Sequence, residues 1–236
     1  KKTLLVLATL IMGLAANAQT FVSTEPTNKN VVLEEYTGIY CGYCPQGHAI
    51  ANQIARENPG RVSVINIHQG NYADNTYTTQ WGNALANQTG LTGYPAGTVN
   101  RHIFSGNATT LGRGSWAQAS NQIMAQPSPV NIAARCTLDY ATRHMSITVQ
   151  VYYTGAVNTP TQMLNVAVLQ DNILGTQSGA SGNPDQVEGS QYRHMHMLRD
   201  LLTGQWGEEI PTTQDSLITW TYEWDIPDSL GRPTPV

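Results

Sequence analysis

With 236 residues and a formal net charge of −4, the chain is long enough for one large domain or two of ordinary size. Apolar residues make up 40% of it, which excludes disorder by composition, and charged residues only 12%, about half the usual ~25%. The 12 basic residues form no cluster, so nothing in the sequence is suited to neutralising a nucleic-acid backbone.

In chain order, Lys1 and Lys2 precede the uncharged stretch Leu4 to Ala16, followed by Ala16-Asn17-Ala18. A basic start, a short apolar run and an A-x-A site predict a secretory signal peptide over 1–18, cut after Ala18. The apolar run is shorter than the roughly 20 residues of a spanning helix, so the protein is read as exported. Residues 31–38 predict a buried β-branched strand ended by Gly38. From Pro45 to Asn58 the period turns helical, with Ile50 and Ile54 four apart. Arg61 to His68 predicts a second strand, and Tyr77, Trp81 and Leu85 a second helix closed by Gly90. Gly93-Tyr94-Pro95 reads as a turn entering a short strand. A hairpin through residues 101–106 and a third helix carrying Trp116, Ala119 and Ile123 follow.

The sequence Gln126-Pro127-Ser128-Pro129 reads as a linker, because each proline biases its predecessor away from helix. Strands alternating with helices before it predict an α/β domain over 19–127 with a partly parallel sheet. Beyond it the period becomes two. Val130, Ile132, Ala134, Cys136 and Leu138 share one strand face. Met145 to Val151, Leu164 to Val168 and Ile218 to Trp224 repeat the alternation. This predicts an all-β domain over 128–236, a sandwich of immunoglobulin-like type. Residues 192–203 read equally as a helical turn or an irregular strand. The chain ends soon after its last predicted strand, leaving open whether a closing strand follows.

Cys41-Gly42-Tyr43-Cys44 joins the first strand to the first helix. A helix N-terminus offers unpaired N–H groups and the positive end of the dipole, which favour thiolate over thiol. Cys41, nearer solvent, is the expected nucleophile, and Cys44, inside the first turn, the resolving thiol. So small a loop adds little stability as a staple. The alternatives are a structural disulfide or half of a zinc site. Zinc needs two further ligands, and no second cysteine pair or histidine pair supplies them. No cofactor or metal is expected.

Residues 31–44 resemble the central strand and active-site loop of the thioredoxin family. The resemblance extends over about residues 25–126. It implies that Glu35, six residues before the first cysteine, is the buried acid that exchanges a proton with Cys44. It also implies that Pro95 is a cis-proline facing the cysteines. Tyr94 would then present its backbone to an extended substrate, with Gly42 and Tyr43 contributing to the same substrate-binding surface. Strand alternation turns one of Glu34 and Glu35 to solvent, and the spacing favours Glu35 inside. Tyr40 replaces the family's tryptophan before the first cysteine, and Pro45 its basic residue after the second.

Other candidates are weaker. His48 lies four residues after Cys44 and reads as half-exposed on its helix, as does His68 at its strand end. The run His194-Met195-His196-Met197 suits copper by chemistry. Alternation, however, separates the two residue types onto opposite faces, so methionines packed beneath a wet histidine face are expected. Cys136 reads as an inert buried thiol.

From end to end the chain resembles the outer-membrane protein family called Omp twenty-eight. The supporting residues are 33–38 running into the CxxC-Pro, the Gly93-Tyr94-Pro95 loop with Asn100-Arg101, residues 192–199, and Gly204 to Gly207. That resemblance implies the Gram-negative envelope and a receptor or adhesin role. Two functions therefore stand side by side. One is thiol–disulfide exchange with envelope or extracellular proteins. The other is non-enzymatic surface binding in which the CxxC is a structural disulfide. In both, attachment to the outer membrane is peripheral.

Overall fold

The computed structural model describes residues 20–230, so the leader expected at 1–18 lies outside the described residues. A two-residue strand, β1 (Thr27–Asn28), leads into the central strand β2 (Val31–Thr37). Gly38 ends β2 at a close approach of backbone to backbone: a Cβ there would stand 2.2 Å from the Tyr72 carbonyl oxygen. Helix α1 (Cys44–Glu57) carries Pro45 in its first turn, where a missing N–H costs least, and stops where Asn58 donates its side-chain amide to the Ile54 carbonyl. Strand β3 (Val62–His68), helix α2 (Gly82–Asn87), strands β4 (Ala96–Val99) and β5 (Thr110–Gly112) and helix α3 (Trp116–Met124) complete the first half. Helix α2 is shorter than the Tyr77–Trp81–Leu85 spacing predicts. Asp74 turns the chain by accepting from the Thr76 and Tyr77 backbone N–H groups, which leaves Tyr77 free to pack against His68 and His194.

After β6 (Pro127–Ser128), which pairs with β1, the chain is built from strands. These are β7 (Val130–Asp139), β8 (His144–Tyr153), β9 (Thr161–Leu164), β10 (Ala167–Gln170), β11 (Ile173–Gly175), β12 (Val187–Glu188), β13 (Gln191–His194), β14 (Met197–Leu201), β15 (Glu208–Pro211) and β16 (Leu217–Asp225). The undecided segment at 192–203 is strand. His196 sits in the left-handed region (φ 55°), and Asn66 binds the Met195 and His196 carbonyls, so the break between β13 and β14 is pinned to β3.

The large sheet runs β10-β14-β3-β2-β4-β5, with β2, β3 and β14 parallel. Helices α1 and α3 cover one face through Ala51, Ile54, Trp116, Ala119 and Ile123 against Val31 and Leu33. On the other face Leu85 and Ala86 of α2 pack with Tyr36, Ile67, Leu198 and Leu201. Each fully buried side chain of this kind stabilises by about 1.5–3 kcal/mol. With both faces covered, neither Glu34 nor Glu35 reaches solvent, which corrects the expectation that alternation exposes one of them. Two strands from beyond the linker, β10 and β14, therefore lie in the same sheet as the strands before it.

The remaining β structure is consistent with a β-sandwich. The sheet β16-β8-β7 packs Ile147, Val149, Val151 and Tyr153 against Leu164 of β9 and Ile210 of β15. Leu164 ends β9 in this layer while Val168 belongs to β10, so the alternation predicted across 164–168 is split between two sheets. Cys136 is directly opposite Ile147, on the face expected, yet it is exposed together with Ile132. The strand β7 is an edge, and the covering pair packs over β8 instead. A further small sheet, β11-β13-β12, reaches α1 through Tyr192 of β13, which bonds His48, and the turn 180–182 between β11 and β12 packs against the same helix.

Candidate functional site

Cys41 and Cys44 form a disulfide at the start of α1, with Cα atoms 5.4 Å apart. No side chain caps this helix; Cys44 N–H bonds back to the Cys41 carbonyl at 3.3 Å and Pro45 carries no N–H, so what the helix brings to the disulfide is the positive end of its dipole. Both cysteines are buried, Cys41 at 3% exposure and Cys44 at 0%. Cys41 is the more exposed of the two, as its place before the helix leads one to expect, but neither residue is open to solvent. A segment the sequence reading missed, residues 176–183 between β11 and β12, lies over them. Ser178 N–H donates to the Ile39 carbonyl at 2.8 Å, and the Gln177 side-chain amide donates to the carbonyls of Gly38 and Cys41 at 3.2 and 3.1 Å. Gly179 (φ 68°) presses so closely on Gly42 that a Cβ would meet its carbonyl oxygen at 2.0 Å.

Beneath the helix two of the residues singled out in the sequence, Glu35 and Pro95, converge on Gly47. Glu35 on β2 is fully buried, and neither carboxylate oxygen has a hydrogen-bond partner. A Cβ on Gly47, one turn into α1, would stand 2.2 Å from Glu35 Oε1 and 3.1 Å from Pro95 Cβ. The Tyr94–Pro95 peptide is cis. Burial pushes the Glu35 carboxyl well above its ordinary range, and the charge of Arg113 only partly opposes this. Glu34 points to the other face, where Thr98 donates to it and Arg101 binds both its oxygens. Tyr94 accepts from the Gln69 amide and stacks edge-on with Tyr72, while Tyr43 and Gly42 are exposed.

His48 is buried at 3%, not half-exposed. Its Nδ1 lies 2.8 Å from the Tyr192 hydroxyl, its Nε2 3.0 Å from Thr37 Oγ1 and 3.8 Å from Glu35 Oε1. Tyr192 donates to Gln186 Oε1 and accepts from Asn183. One assignment satisfies this chain of bonds: His48 is neutral, donates from Nδ1, and accepts the Thr37 proton at Nε2. Burial first, and then the charges of His194 and His196, lower His48 to about 3. His68 and His194 are likewise buried, with their rings in contact. Desolvation holds His68 well below its ordinary value and His194 at about 4. The wet histidine face expected at 194–197 is thus corrected, since His194 lies inside and the turn at His196 breaks the alternation. Burial thus works against charge on Glu35 and on these histidines alike in the space behind the disulfide. Among the described residues, no three His, Cys, Asp or Glu side chains are gathered as a metal site.

The fold has counterparts among known proteins. The model of the family "Outer membrane protein Omp28" matches residues 82–232. HBP35 of Porphyromonas gingivalis superposes with a TM-score of 0.66 at 24% identity, over 85% of this chain and 65% of that one. This chain thus spans somewhat less than two thirds of that protein, and the likeness is one of fold. A protein of Agrobacterium tumefaciens gives a TM-score of 0.49 at 11% identity, over 82% of this chain and 78% of that one. No curated protein matches the chain. Among the described residues no helix is long and apolar enough to cross a membrane. Matched by the family model over more than half its length, the chain belongs to the Omp28 family, whose name places it at the outer membrane or cell envelope.

Proposed function

We propose that the first half, residues 19–127, is a thioredoxin-like domain and that the chain exchanges disulfides with envelope or extracellular proteins through Cys41 and Cys44. The second half, residues 128–236, is read as a β-sandwich unit of immunoglobulin-like type, and attachment to the membrane as peripheral. The observation that carries this reading is a disulfide at the N-terminus of α1 with an unpartnered, fully buried Glu35 and Pro95 packed beneath that helix. In the oxidising direction a substrate thiolate attacks Cys41 Sγ. One S–S bond forms, the Cys41–Cys44 bond breaks, and Cys44 leaves as a thiolate that takes a proton from Glu35. A second substrate thiolate then attacks the substrate sulfur of the mixed disulfide: the substrate's own S–S bond forms, its bond to Cys41 breaks, and Cys41 leaves as a thiolate. The substrate loses two electrons and the CxxC gains them. Reduction of a substrate disulfide is the reverse. Cys44→Ser leaves Cys41 free and traps mixed disulfides with envelope proteins, resolvable by reduction on gels. Cys41→Ser traps none. Equal trapping by both variants, or by neither, counts against exchange.

A second reading is favoured by one observation, the burial of both cysteines beneath residues 176–183. In it the disulfide is structural and the chain is a surface-binding protein. A reduction potential below about −300 mV, in the range of inert secreted disulfides, supports this reading, whereas one near −200 mV supports exchange.

A further inference from the structure

The residues over the disulfide do not belong to the elements that build it. They come from the second half of the chain, more than 130 positions away. Both ends of the segment are anchored. On one side β11 pairs with β13, and on the other Asn183 and Gln186 are buried against Tyr192. Between these anchors Ser178, Gly179 and Ser181 are exposed, and Gln177, Ala180 and Gly182 are only half-buried. What holds this stretch down is the Ser178 bond to Ile39, the two Gln177 bonds, and contacts of Gly179 on Gly42 and of Gly182 on Gln46 and Pro45.

The acceptors are informative. The carbonyls of Gly38, Ile39 and Cys41 all belong to the loop that presents the disulfide, and an extended chain crossing that loop would bind the same groups through its own N–H donors. Gly179 permits the approach because it has no side chain and sits in the left-handed region. Tyr40 and Tyr43 remain exposed beside the covered sulfurs, so an aromatic rim is already formed next to the occupied position.

We propose that residues 177–179, held at one end by the 3-10 turn Ala180–Gly182, are a tethered stand-in for substrate: they occupy the place of an incoming polypeptide on the CxxC loop and must lift away before one can dock. The substrate class that follows is an extended polypeptide with a small residue opposite Gly42. This regulation rests on the exchange reading only in its second arm, since access to the sulfurs is testable by itself.

The test uses the whole oxidised chain. In the first arm the disulfide is reduced by tris(2-carboxyethyl)phosphine in excess, quenched with maleimide and read by mass. Gln177→Ala, and separately Gly179→Ala, should raise the reduction rate on the order of tenfold, as expected when one or two hydrogen bonds leave the closed state of an opening equilibrium. In wild-type protein the Ser178 amide should be protected from hydrogen exchange, a measurement that needs no variant. Equal reduction rates in wild type and both variants, or a Ser178 amide exchanging as in an unfolded peptide, overturn the proposal. In the second arm the prereduced variants should reduce insulin faster than wild type by a similar factor. Faster phosphine reduction with no insulin turnover leaves the cap in place and removes the exchange reading.

Discussion

The Tyr192 hydroxyl lies 2.8 Å from Nδ1 of His48, joining the helix that begins at the disulfide to a strand 144 residues later. Asn183 and Gln186 complete the shell around that hydroxyl, so the second half of the chain supplies part of the polar lining behind the first half's cysteines. Tyr192→Phe removes a hydroxyl with three partners and leaves His48 Nδ1 without an acceptor in a buried space. A loss of about 1–3 kcal/mol is expected, measured by urea unfolding at pH 7.5 with the disulfide intact. A Phe variant as stable as wild type shows that the network contributes nothing net.

The buried histidines and Glu35 give stability a pH dependence of two opposed signs. His48, His68 and His194 are held neutral in the folded protein, with pKa values below those of the unfolded chain. The unfolded state therefore binds more protons below about pH 6.5, and stability falls as pH drops from there, by roughly 1 kcal/mol per pH unit for each histidine. Glu35 acts oppositely. Its native pKa is raised, so the folded state keeps a proton that the unfolded state loses above about pH 4.3, and this group lowers stability as pH rises. Unfolding free energies at pH 5, 6, 7 and 8 should show the steep acid-side loss. Glu35→Gln should become more stable relative to wild type as pH rises from about 4.5 until Glu35 ionises in the native state. A difference independent of pH means that Glu35 titrates as it does unfolded.

Much of this site was legible in the sequence because its parts are local. Strand, CxxC and helix follow one another within residues 31–58, and turn chemistry marked Pro95. What was not legible is contributed from a distance. His48 reads as half-exposed on α1, but β13 arrives with Tyr192 and buries it. Glu34 and Glu35 look like one inward and one outward residue. Only the presence of helices on both sides of the sheet, with Arg101 on one and Gly47 on the other, accommodates both. Cys136 has apolar neighbours at the right period, but no periodicity reveals that its strand is an edge. The clue to residues 176–183 was their Gly and Ser content alone, which reads the same in any loop.

Arg101 grips both oxygens of Glu34 where the carboxylate is buried and the guanidinium is about one third exposed. Removing the arginine strands a charge with only Thr98 to stabilise it. Arg101→Met should cost about 3 kcal/mol, the low end for a broken buried pair because Arg101 is partly solvated. The double variant Glu34→Gln, Arg101→Met should regain most of that. If the double variant is as unstable as the single one, the loss comes from packing of the arginine stem and not from the stranded charge.

Gly47 and Gly42 flank the same helix start but meet different surroundings. A methyl on Gly42 meets nothing within 4 Å, whereas one on Gly47 stands 2.2 Å from Glu35 Oε1. By helix propensity alone, alanine at position 47 would stabilise α1 by about 1 kcal/mol. Glu35 is fully buried, so the clash should outweigh that gain and leave Gly47→Ala destabilised by about 1–3 kcal/mol. Gly42→Ala should stay within about 0.5 kcal/mol of wild type. The clash is separable from any other effect by a double-mutant cycle: in a Glu35→Ala background the methyl enters vacated space, and Gly47→Ala should become neutral or stabilising. If Gly47→Ala costs the same in both backgrounds, the glycine answers to Pro95, the other atom in its path, and the carboxyl does not define the floor of the site.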